Sequence, residues 1–92
     1  MMEKYKDGQV NMIIGYFENG NMMFKGNCVY GLSEGEWLYW NVDGRLILKG
    51  NFSNNLQVGE WTRFFPNGEN MKIYYEKGVL VSKILGGFYK NE

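Results

Sequence analysis

The 92-residue chain contains no histidine, no alanine, one cysteine and one proline. Without histidine and with Cys28 alone, the common zinc ligand sets and a Cys–His nucleophile pair are excluded. One cysteine also leaves no internal disulfide, and a reduced, cytoplasmic setting is the expectation. Alanine is the best helix former, so its absence beside 13 glycines disfavours helices. An aromatic content of 17% favours strands. Charge of one sign is lacking too: ten Lys and Arg balance ten Asp and Glu. The basic surface that nucleic acid binding needs is therefore missing. The apolar runs are too short for a membrane-spanning helix. The opening MMEKYKDGQV has no apolar core of a secretory signal. Hydrophobic residues at 45% suffice for one small domain.

What the chain has instead is a repeat. Gly20–Trp37 aligns without a gap on Gly44–Trp61. Glycine, lysine, glycine, asparagine, leucine, glycine, glutamate and tryptophan coincide, and Met22, Met23 and Phe24 exchange with Leu46, Ile47 and Leu48. Such self-similarity marks a repeat architecture. The units run over about 20–43, 44–67 and a divergent 68–92, with a partial unit over 1–19. Tyr16, Trp40, Phe64 and Phe88 keep the same spacing.

Each unit holds two turn signals. Asn19-Gly20, Asp43-Gly44 and Asn67-Gly68 are the dipeptides that type I′ hairpin turns prefer. Between them lie Asp7-Gly8, Tyr30-Gly31, Asn54-Asn55 and Lys77-Gly78. This spacing predicts an all-β fold: a single-layer twisted antiparallel meander of about eight short strands. Two-residue turns at every site set Lys25 opposite Glu36, Lys49 opposite Glu60, Gly26 opposite Gly35 and Gly50 opposite Gly59. They also set Phe24 opposite Trp37, Leu48 opposite Trp61 and Trp37 opposite Gly50.

Alternation then sorts the sheet into two faces. One carries Phe24, Trp37, Tyr39, Leu46, Leu48, Trp61 and Tyr74 among the glycines. The other carries Tyr16, Met23, Trp40, Ile47, Phe64, Met71 and Ile73 together with the Lys–Glu pairs. In this register Tyr16 meets Met23, Trp40 meets Ile47 and Phe64 meets Met71. A sheet apolar on both faces leaves a stripe for another molecule. Tyr16, Met23, Trp40, Ile47, Phe64 and Met71 are the candidate interaction face.

The strings GNCVYGLSEGEWLYWNVDG and GNFSNNLQVGEWTRFFPNG resemble MORN repeats in their bacterial variant form. The pattern reads here as Gly50, Phe52, Asn55, Gly59 and Trp61, then Phe64-Phe65-Pro66-Asn67-Gly68. The resemblance covers residues 13–92 and is strongest over 20–68. Cys28 replaces an aromatic, Ile73-Tyr74-Tyr75 replaces Lys-Gly-Asn, and Ser82 stands near the third glycine. The last unit therefore reads as a divergent cap. The resemblance implies a curved sheet of stacked hairpins and a non-catalytic role in assembly or protein binding. The edge strands and the second apolar stripe add self-association, as a homodimer or as part of a larger array. Its likeness to YwqK-type antitoxin components implies an alternative, an antitoxin or immunity protein that blocks a toxin. MORN repeats also accompany lipid kinases, but the lysines here are scattered and form no polybasic cluster, so lipid binding is not expected.

Chemistry-bearing readings compete poorly with structural ones. Gly26, Gly35, Gly50 and Gly59 sit at mid-strand spacing, unlike a phosphate loop opening a helix. Trp37 and Trp61 have core neighbours. Glu36 and Glu60 are expected beside lysines, which favours their ionised forms over a raised pKa. Cys28 aligns with Phe52 and reads as a small buried hydrophobe. No catalytic, cofactor-binding or metal-binding residue is assigned.

Overall fold

A computed structural model describes residues 10–86. They form seven strands: β1 (Val10–Tyr16), β2 (Met22–Val29), β3 (Leu32–Trp40), β4 (Leu46–Ser53), β5 (Leu56–Phe64), β6 (Asn70–Glu76) and β7 (Val79–Gly86). Each pairs antiparallel with its sequence neighbours, giving one sheet in the order β1 to β7. The Cα envelope of 52 × 34 × 14 Å is that of a single twisted layer. The expected all-β meander is present. The Asp7-Gly8 turn, any strand before it, and Phe88 lie outside the described residues.

The turns are of two kinds, and the dipeptides divide between them differently from the expectation. Tyr30-Gly31, Asn54-Asn55 and Lys77-Gly78 have positive φ at both positions, as a type I′ turn demands. At Asn19-Gly20, Asp43-Gly44 and Asn67-Gly68 only the glycine is left-handed, at φ of 94°, 92° and 95°. There the Gly20, Gly44 and Gly68 N–H groups donate to the carbonyls of Phe17, Asn41 and Phe65. These are three-residue loops, a turn followed by a left-handed glycine. The Asn19, Asn41 and Asn67 side chains accept from nearby backbone N–H groups and hold the loops in shape.

A loop with one extra residue shifts the pairing by one. β2 and β4 absorb the shift with a β-bulge beside the loop, at Met23 and Ile47, so Gly15 still faces Phe24 and Trp37 still faces Gly50. Tyr16 consequently pairs with Met22 rather than Met23, and Trp40 with Leu46 rather than Ile47. The β5–β6 pair has no such bulge. Phe64 pairs with Asn70, Met71 with Arg63, Ile73 with Trp61 and Tyr74 with Glu60. Met71 and Ile73 therefore share the Trp61 face rather than lying with Phe64, and Tyr74 changes places with Tyr75.

A second irregularity overturns the Lys–Glu register. Beside the type I′ turns the pairing starts as expected, with Asn27 opposite Glu34 and Asn51 opposite Val58. Then three residues, Gly35-Glu36-Trp37, span the single residue Gly26, and Gly59-Glu60-Trp61 span Gly50. Gly35 and Gly59 make this bulge with φ of 77° and 69°. Beyond it Lys25 faces Leu38, Phe24 faces Tyr39, Lys49 faces Thr62 and Leu48 faces Arg63.

The bulge builds the core. It lays each indole over the opposite glycine, so that a Cβ at Gly26 or Gly50 would overlap the Trp37 or Trp61 ring. Trp37 is 7% exposed and Trp61 only 1%. Each Nε1–H donates to a backbone carbonyl, Asn27 at 3.1 Å and Asn51 at 3.0 Å, so both indole donors are paired. Phe24, Trp37, Tyr39 and Trp61 follow one another at 6.1–6.3 Å between ring centroids. Phe52 packs edge-on against both tryptophans, and Tyr75 against Trp61. Such pairs contribute about 0.5–1.5 kcal/mol each beyond area burial. Desolvation in this row pushes the Tyr39 phenol up from its ordinary pKa.

Candidate interaction surface

Of the six residues proposed for an interaction face, only Tyr16 is exposed, at 53%. Met23, Trp40, Ile47, Phe64 and Met71 are half-buried. Register and alternation separate Met71 from Phe64, so the six do not share one face.

The second face is polar along its middle. Pairing sets one residue from each strand in a row: Ile14, Lys25, Leu38, Lys49, Thr62, Lys72 and Ile84. Three lysines on alternate strands interrupt the apolar stripe. Lys72 Nζ lies 2.9 Å from Glu60 Oε2 and donates to Thr62 Oγ1 at 3.1 Å. The Tyr74 hydroxyl donates to Glu60 Oε1 at 3.4 Å. The Lys72 hydrogen bond, helped by the charges of Lys72 and Lys49, holds the Glu60 carboxyl below the usual glutamate range. Glu60 thus takes its ion pair from β6 rather than from Lys49, because the bulge carries Lys49 past it.

Apart from Tyr16, the exposed large apolar residues lie elsewhere, Tyr30 and Val42 in the turns among them. Leu32, Leu56 and Val79 open β3, β5 and β7, each immediately after a type I′ turn, and are 40%, 45% and 63% exposed. The turn column beneath them is braced across units. The Asn55 N–H donates to the Ser33 carbonyl at 2.9 Å, and the Asn55 side chain accepts from the Ser33 N–H at 3.0 Å. The Asn54 N–H donates to Glu34 Oε1, and the Gly78 N–H to the Gln57 carbonyl. A Cβ at Gly78 would come within 3.2 Å of Leu56 Cδ2, so this turn lies close against the preceding unit. The sequence carried a signal for this ridge: Leu32 and Leu56 are among the identities of the repeat. Alternation alone gave no reason to single out a residue beside a turn.

Chemistry in the described residues follows packing. Cys28 is a half-buried free thiol. No three Cys, Asp or Glu residues cluster in a way that could hold a metal ion among the described residues. No helix among them is long and apolar enough to cross a membrane. The chain matches no protein-family model and no curated protein.

Proposed function

We propose that the chain is a non-catalytic protein-interaction module whose contact surface runs along the type I′ turn edge of the sheet. The observation that carries this reading is the ridge of Leu32, Leu56 and Val79 at corresponding places in successive units. Repeat sheets hold such side chains at regular intervals on a braced frame, which suits a partner that spans several units. Apolar groups aligned on an ordered edge are a binding signal that scattered ones are not. The resemblance to MORN repeats supports the same class of role.

The test is a pair of cross-linking captures in the source cell, with the natural chain and with a Leu32→Asp, Leu56→Asp variant. Both positions are exposed, so the variant keeps its fold, which a thermal melt checks. A protein recovered with the natural chain and lost with the variant supports the reading. Identical recoveries overturn it.

A further inference from the structure

We propose that β7 is a homotypic docking edge, through which two copies of the chain pair β7 against β7 in antiparallel fashion and join their sheets into one. This rests on the interaction-module reading and names a second edge and its partner.

Among the described residues β7 pairs with β6 alone. Residues 79–84 are all exposed, and Val79, Leu80, Val81 and Ile84 among them are apolar. The opposite edge is different: residues 10–15 of β1 are half-buried throughout. An apolar edge strand is a template for another strand.

The chemistry of β7 restricts what can pair with it. Leu80 stands opposite Tyr75 and Ile84 opposite Lys72, neighbours on opposite faces of the sheet. A complementary strand must therefore be apolar on both faces, and β7 itself meets that demand. Lys83 is the sole charged residue of the strand, which limits repulsion between copies.

Direction selects the arrangement. Seven antiparallel strands in sequence order leave β1 and β7 running the same way. A second copy added β1-to-β7, with its aromatic face on the same side, would form a parallel pair. A half-turn about the sheet normal instead sets β7 antiparallel to its counterpart and keeps both aromatic faces on one side. The contact is then isologous and closes as a dimer. Strand pairing alone falls below the roughly 1,200 Å² of stable interfaces, so the association depends on concentration.

Light scattering across a concentration series tests this on the natural chain, a Val81→Lys, Ile84→Lys variant and a Tyr16→Lys control. The natural chain and the control should rise from monomer towards dimer mass, while the β7 variant stays monomeric. A natural chain that is monomeric throughout overturns the proposal. A β7 variant that still associates overturns it as well and moves the contact elsewhere. Either failure leaves the Leu32 and Leu56 ridge untouched, since that is read by a different variant. Hydrogen exchange on the unaltered chain guards against a misfolded variant: β7 amides should gain protection as concentration rises, and no gain overturns the proposal.

Discussion

The Trp61 indole lies across the backbone of Gly50 and donates its Nε1–H to the carbonyl of the next residue, Asn51, at 3.0 Å. Trp37 does the same over Gly26 and Asn27 one unit earlier, at 3.1 Å. A single-layer sheet has no second layer to bury a ring against. Here the bulged strand folds its own tryptophan over the neighbouring strand, and glycine leaves the space.

Gly50→Ala should destabilise the domain by about 1–3 kcal/mol, because the added Cβ meets the Trp61 ring. The same substitution in a Trp61→Ala background should be nearly neutral, since the clash is gone. Urea denaturation of the four proteins in this cycle gives the coupling. Equal costs in both backgrounds would mean that Gly50 is needed for its backbone freedom rather than for close approach.

Gly59 has open space around a Cβ but a φ of 69°. Gly59→Ala should therefore cost roughly 1–2 kcal/mol through strain alone. Gly59→Asn should cost less, because asparagine tolerates the left-handed region. Thermal melts of the two variants rank them, and a larger loss in the asparagine variant would contradict the assignment.

Lys77-Gly78 forms a type I′ turn with a lysine at φ 49°. Lys77→Asn installs the preferred dipeptide and should raise stability by a few tenths to about 1 kcal/mol. An unchanged or lowered urea midpoint would show that Lys77 supplies something other than its backbone.

Glu60 has a folded-state pKa below its ordinary value of 4.5. Its ionised form is thus favoured by folding, and the contribution is complete above the ordinary value. It is lost as pH falls from there through the lower folded value. The stability difference between the natural chain and Glu60→Gln should shrink over that window. Glu60 is solvent-accessible, so the effect is small and falls with added salt. Carboxyl NMR titration reads the pKa directly, and Lys72→Met should move it back up, since Lys72 is the first cause of the shift.

The fold was largely legible in the chain. The 24-residue repeat, the turn dipeptides and the aromatic content led to an all-β meander, and the pairing of Trp37 with Gly50 followed from turn spacing. The burial of both tryptophans was legible too. The candidate interaction face was less so. It depended on every turn being two residues long, and the Asn-Gly and Asp-Gly sites instead make three-residue loops. Where a bulge beside the loop corrects the shift, the expected register returns. At β5–β6 none does, and Met71, Ile73 and Tyr74 change faces. The Lys–Glu pairs failed for a related reason: the Gly-Glu-Trp bulge carries Lys25 and Lys49 two residues beyond their expected partners.

The sequence by itself determined the repeat, the strand content, the antiparallel order and the burial of Trp37 and Trp61. Those follow from local preferences, turn chemistry and apolarity, which each residue carries into any context. Only the tertiary structure decided the register beyond each bulge, the polar row of Lys25, Lys49 and Lys72 across the second face, and the exposure of Leu32, Leu56 and residues 79–84. These depend on where an extra residue is absorbed and on which neighbour covers a side chain. A residue's own chemistry does not encode either, because both are settled by the pairing of whole strands.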